Sequence, residues 1–254
     1  MKRRGRGFSY LFLIVQLAIP QPALCDDILS KALAANESLY SSLQSFVCHE
    51  RIERFRGPLN AQTGRALDTV TANLSFENGV EHYSDVRQNT RPRDGISNLT
   101  GAWSEGEFGT LLLQTETLLK TQPVSFQTLA VLGDVATAIY RFDVPEENSP
   151  WDLDVGGRHY RLAFRTEVWI ATETGEIVKI ARTSLGIAAE TRISALEWKV
   201  TLEPVELNGK RWLLPKTGEY SVLYDQSNRR EWNLMNFSDY RRYGSEVALR
   251  FDAQ

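Results

Sequence analysis

The residues that could do chemistry in this chain are few and scattered. Its three histidines, His49, His82 and His159, fall in separate segments, and none belongs to an HExxH pattern or lies near a second ligand. Zinc needs three or four converging donors, so these read as surface or strand-face histidines. Cys48 directly precedes His49, an arrangement that invites a thiol nucleophile and its base. Neighbours on a strand point to opposite faces, however, so the two cannot hydrogen-bond, and Cys48 reads as a small buried apolar residue. Glu146, Glu147, Asp152 and Asp154 bring acidic oxygens close together in sequence, but EF-hand spacing is missing and a solvated acidic loop is the better reading. No serine stands in G-x-S-x-G. The glycines of GAWSEGEFGTLL, Gly101, Gly106 and Gly109, fit neither GxxxxGK[ST] nor GxGxxG, so they cradle no phosphate. The chain therefore offers no catalytic constellation, no metal site and no cofactor motif.

The same glycine-rich stretch has a structural use. Ser104 and Glu107 have the spacing of a capping box, and Phe108, Leu111, Leu112 and Thr115 follow at i, i+3, i+4 and i+7. This predicts a helix starting at Ser104 with one apolar face. Trp103 stands just before it, where strand alternation does not dictate a core position. Trp103, Phe108, Leu111 and Leu112 are thus the candidate ligand-binding residues, placed where the helix would plug and cover an apolar groove. Trp169, Trp198, Trp212 and Trp232 fall inside strands and read as core or cross-strand packing. Arg229-Arg230 and Arg241-Arg242 read as charges guarding a strand edge rather than as a lipid-headgroup site.

The elements that must position these residues are mostly strands. Val70, Ala72, Leu74 and Phe76 alternate with polar residues, and Asn78-Gly79 then supplies a two-residue turn into VEHYSDV. Tyr160, Leu162, Phe164, Thr166, Val168 and Ile170 alternate likewise before a turn at ETGE, and a third hairpin pivots on Asn208-Gly209. Ala138 to Val144, YSVLY, EWNLMNF and a closing run of Val247, Leu249 and Phe251 bring the count to about ten antiparallel strands. Alternation of this kind means one buried face per sheet. Helix is scarce: DDILSKALAANESLYSSLQ sets Ile28, Leu29, Ala32, Leu33, Leu39 and Leu43 on one stripe, with Asp26 and Asp27 at the favourable end of the dipole. The expected fold class is α+β, mainly β: a large curled antiparallel sheet, an incomplete β-barrel, covered by an N-terminal helix and a short internal one. The polar stretch 146–157 reads as an excursion, not a domain boundary.

The first 25 residues have the signature of a secretory signal peptide. MKRRGRG is positively charged, FSYLFLIVQLAI is uncharged, and PQPALC ends in small residues around Cys25. The apolar run is too short for a bilayer core that needs about 20 residues. Cleavage after Cys25 is expected, leaving one domain over 26–254; acylation of Cys25 as a lipoprotein is the alternative, opposed by Leu24 where a small residue belongs. Removal of 1–25 leaves 25 basic against 32 acidic residues, a formal charge of about −7 that disfavours a nucleic-acid partner. It also leaves Cys48 without an intramolecular partner, so the core and not disulfides must hold the fold. Sequons at Asn36, Asn73, Asn98 and Asn236 are near chance in number and matter only in a eukaryotic secretory pathway.

With its signal segment, FVCHERIERFR after an N-terminal helix, the G-x-W-S-x-G-E-F-G segment and a late NFSDYRRYGSEVALRF, the chain resembles an uncharacterised group of exported bacterial proteins. The Phe-Ser-x-Tyr-Arg strand followed by a short terminal strand is also similar to the ending of periplasmic lipoprotein carriers of the LolA and LolB type. That resemblance implies an incompletely closed barrel with helices over a cavity for acyl chains. It places no catalytic or acyl-binding residue position by position, and fold does not imply function. The function expected is an extracytoplasmic, periplasmic or secreted protein that carries or senses a lipid, a lipoprotein acyl chain or another apolar ligand. The alternative is a cell-envelope protein-interaction module that offers its convex face or edge strands to a partner; a hydrolase is disfavoured.

Overall fold

The computed structural model describes residues 26–36, 46–61, 63–77 and 79–242. The expected signal peptide, Leu39 and Leu43 of the N-terminal stripe, and the closing run from Val247 to Phe251 lie outside the described residues. Chain order begins with helix α1 (26–36) and continues through β1 (Phe46–Gly57), β2 (Arg65–Glu77), β3 (Val80–Gln88), β4 (Arg91–Pro92), helix α2 (Thr110–Thr121), β5 (Ser125–Leu132) and β6 (Val135–Val144). It then runs through β7 (Asp152–Val155), β8 (Arg158–Arg161), β9 (Phe164–Ala171), β10 (Ile177–Ser184), β11 (Ala195–Leu207), β12 (Lys210–Tyr224) and β13 (Arg229–Arg242).

Eleven strands form one antiparallel sheet in the order β4-β3-β2-β1-β13-β12-β11-β10-β9-β6-β5. Among the described residues its two edges, β4 and β5, do not pair, so the sheet curls without closing into a barrel, as the sequence pattern led us to expect. The hairpins fall where the turn residues put them: Glu77 faces Val80, and Leu207 faces Lys210 across Asn208 and Gly209, both in the left-handed region at φ 52° and 72°. Register shifts in β1–β2, β2–β3, β9–β10 and β11–β12 bend the sheet further.

Burial follows the period of two. Phe46, Cys48, Glu50, Ile52 and Arg54 of β1 point inward, while His49, Arg51 and Glu53 point outward. The inner face is lined by Phe76, Phe142, Phe164, Phe237, Leu74 and Ile170, all nearly inaccessible, and the core is this face together with α1 and α2. From α1, Ile28 and Ala32 enter the core, and the Asn36 amide donates to the Gly175 carbonyl at 3.3 Å. The Asn36 side chain is therefore buried and bonded to backbone.

Three expectations change. The excursion over 146–157 leads into a two-stranded ribbon, β7 paired with β8, in which Asp154 meets His159 at 2.7 Å. Its Trp151 turns inward and is buried. Second, β13 is an interior strand between β1 and β12, so Arg229 and Arg230 guard no edge: Arg230 lies over the Trp232 ring at 5.0 Å and Arg229 over Tyr224 at 3.9 Å. Third, α2 begins at Thr110 rather than at Ser104.

Candidate functional site

The late helix start has a local cause. Gly106 sits at φ 105°, outside the right-handed helical region, so the chain cannot spiral through it. Ser104 and Glu107 do meet side chain to side chain, but neither caps the helix. The backbone donors go instead to Glu81 of β3, opposite Phe76 on the inner face. Glu81 Oε1 accepts the amides of Phe108, Gly109 and Thr110 at 2.9, 2.9 and 3.2 Å, and Oε2 accepts Gly106 N–H at 3.1 Å and the Tyr83 hydroxyl at 2.8 Å. A carboxylate at a helix N-terminus satisfies orphan donors and the dipole together. The seat requires glycine at 109, because a Cβ there would stand 2.6 Å from the Phe76 ring.

Around this cap the inner face carries two more carboxyls, Glu50 and Glu107, both buried. Burial, then the charge of Glu81, pushes Glu107 up to about 8, and burial with the charges of Glu107 and Glu81 raises Glu50 well above the usual carboxylate range. Burial likewise raises the Cys48 thiol, whose side chain shares this face near Tyr240. Burial thus favours the protonated thiol, and Cys48 faces away from His49.

A polar row crosses the same face. Reading directly opposite partners from strand to strand gives Thr166, Arg182, Trp198, Tyr220, Asn233, Arg54 and Asp68, from β9 to β2. At one end Arg54 forks onto Asp68, with both N···O distances 2.6 Å, and donates to the Thr100 and Ala102 carbonyls at 2.8 and 3.4 Å. Asn233 also donates to the Ala102 carbonyl, at 3.1 Å. Burial works against the Asp68 charge, but hydrogen bonds from Arg54 and Gln88 outweigh it and hold this carboxyl below its usual value. Segment 99–109 is thereby tied across the mouth of the inner face by Arg54 and Asn233 at one point and by Glu81 at another.

Phe108, Leu111 and Leu112 follow one another on the buried side at the start of α2, and Trp103 lies on the segment before it. Phe108 is fully buried and packs near Phe237 and Tyr240, with ring centroids 6.4 and 6.1 Å apart. Leu111 and Leu112 are buried beside it, and Trp103 is half-buried against the core. Sequence reasoning passed over Glu50, Arg54, Glu81, Glu107 and Arg182 as site residues. The signal was present for Glu50, Arg54 and Arg182: period two carries each charge onto the same face as Ile52 or Ile180. Among the described residues no group of three or more His, Cys, Asp or Glu side chains is arranged to hold a metal ion, and no helix is long and apolar enough to cross a membrane.

Fold and cover together define an open antiparallel half-barrel with a helix on its inner face. The chain is similar in overall path to a DUF1329 family protein from Desulfovibrio piger, with a TM-score of 0.47 and 10% identity over 89% of this chain and 94% of that one. It is similar to a putative outer membrane lipoprotein-sorting protein domain from Vibrio parahaemolyticus, with a TM-score of 0.42 and 11% identity over 88% and 95% of the two chains. The lipoprotein LppX of Mycobacterium tuberculosis aligns with a TM-score of 0.28 and 13% identity over 89% and 99%. No protein-family model matches the chain, and no curated protein sequence matches it.

Proposed function

We propose that this chain is an extracytoplasmic binding protein that carries or senses a lipid, a lipoprotein acyl chain or a similar apolar ligand between its inner sheet face and the segment from Trp103 through α2. The observation that carries this reading is the nature of the cover. The sheet is unclosed, and part of its inner face is covered by the short helix α2, whose Leu111, Leu112, Leu118 and Leu119 are buried, and by Phe108 just before it. An acyl chain that takes the place of those side chains exchanges apolar contact for apolar contact, at little net cost in hydrophobic free energy. Trp103, half-buried at the start of the cover, would flank the opening. The exported location follows from the signal-like first 25 residues and is tested with the same material: the intact mass of the exported form should begin at or near Asp26, and a diacylglycerol adduct on Cys25 would make it a lipoprotein. Native mass spectrometry of protein purified from its own envelope should show a co-purifying lipid. Ligand-free protein that also fails to take up an apolar fluorescent probe at a saturable site would refute the carrier reading.

A second reading has its own support. Edge strand β5 exposes Leu129 and Val131, and with Ile28 and Lys31 of α1 it lines a groove of about 480 Å³. An exposed apolar edge is a template for strand addition by another envelope protein. Val131→Lys should abolish such an interaction in a pull-down and leave probe uptake unchanged.

A further inference from the structure

Arg182 is among the largest fully buried side chains, and among the described residues it has no carboxylate partner. There its hydrogen bond runs from Nη1 to the Gln114 side-chain oxygen of α2, at 2.9 Å. Nε and Nη2 find no acceptor among the described residues. The groups around it are orphaned in the same sense. Trp198 Nε1 and Thr166 Oγ1 lie directly opposite Arg182 on the two flanking strands, Thr115 Oγ1 follows Gln114 on α2, and none of the three has a partner among the described residues. Native interiors pair nearly all their buried polar atoms, so a group of unmatched donors in one place calls for a cause.

Two nearby facts narrow the cause. Arg54, in the same row across the sheet, is matched completely by Asp68 and two carbonyls, so the fold is able to pair an inward arginine. Around Arg182 the protein instead sets rings: its guanidinium carbon is 4.2 Å from the centre of Phe164 and 5.8 Å from Trp151 and from Trp198. Ring faces attract a cation but do not accept its in-plane N–H groups. Burial pulls Arg182 down to about 9, which still leaves it charged at neutral pH. The complement of a guanidinium fork, an indole N–H and a hydroxyl is an anion with several acceptor oxygens.

We propose that Arg182, Trp198 and Thr166 recognise the anionic head, carboxylate or phosphate, of an amphiphile whose acyl chain displaces Leu111 and Leu112 of α2. The proposal rests on the apolar-ligand reading above and adds to it the chemistry of the head. Gln114 accepts from the guanidinium in this structure, and the head takes its place when α2 moves.

The test uses palmitate, hexadecyl phosphate and methyl palmitate, three ligands with a common chain, measured by displacement of a fluorescent fatty-acid probe. At least one of the two anions should bind the wild-type protein about tenfold or more tighter than the ester, and the preferred anion identifies the head as carboxylate or phosphate. Arg182→Met should bring both anions to the ester's affinity without changing that of the ester. Equal affinity of both anions and the ester for the wild-type protein would overturn the head site while leaving the apolar-ligand reading in place; failure of all three to bind would overturn both. If Arg182→Met does not fold, the Arg182 Nε–H resonance of the wild-type protein decides. It should shift on addition of palmitate or hexadecyl phosphate and stay in place with the ester, and no shift with either anion would refute the proposal.

Discussion

The Glu81 carboxylate in β3 accepts the amide of Gly109, 2.9 Å away and one residue before α2 begins, although the capping-box serine lies at Ser104. A helix start read as local is thus governed by a side chain 28 residues earlier in the chain. With the Arg54 and Asn233 hydrogen bonds to residues 100 and 102, this contact anchors the cover to the sheet.

Replacing Glu81 should loosen the cover first. Glu81→Ala leaves the amides of Gly106, Phe108, Gly109 and Thr110 without their acceptor and should cost about 2–4 kcal/mol in urea unfolding. Glu81→Gln keeps an acceptor and should cost about half as much. Hydrogen exchange should speed up at residues 106–110 before it does so in β1 or β13; a uniform rise across the sheet would contradict the anchoring role.

Stability should fall as pH rises through neutrality. Glu107 is raised from the ordinary 4.5 to about 8 by burial and the Glu81 charge, and Glu50 moves in the same direction. Between those two values the folded state holds a proton that the unfolded chain has given up, so each such group removes stability on the order of 1.4 kcal/mol per pH unit as pH increases. The full benefit is present below the unfolded value and is lost once pH passes the folded one. Glu107→Gln should flatten the melting-temperature profile between about pH 4.5 and 8; an unchanged slope would exclude Glu107 as its source.

Cys48 should be structural and inert. Buried on the inner face and raised by burial, it should react with iodoacetamide only after unfolding. Cys48→Ala should cost about 1–2 kcal/mol from lost packing and leave ligand uptake intact. Loss of uptake at unchanged stability would assign the thiol a functional role.

Trp103 and Phe108 should separate binding from folding. Phe108 is wholly enclosed, so Phe108→Ala should cost about 3–5 kcal/mol. Trp103 is half-buried, and Trp103→Ala should weaken uptake of an apolar probe more than it lowers the melting temperature. Unchanged affinity at a single saturable site would remove Trp103 from the opening.

The alternation of Val70, Ala72, Leu74 and Phe76, and the turn residues Asn208-Gly209, are local facts, and they determined strands, hairpins and the buried face before any tertiary contact was known. The helical spacing of Phe108, Leu111, Leu112 and Thr115 likewise determined which face of α2 is buried. Tertiary structure decided the rest, because it depends on which strands become neighbours. Pairing β1 with β13 made β13 an interior strand and moved its arginines from an edge to the middle of the sheet. Bringing β3 under residues 106–110 replaced the Ser104 cap with Glu81. Setting Arg182 beside Thr166 and Trp198, with Arg54 opposite Asp68, turned single inward charges into one row with a matched end and an unmatched end. Period two gives the side of the sheet on which a charge falls; only strand order, set by contacts between residues far apart in the chain, gives its partner.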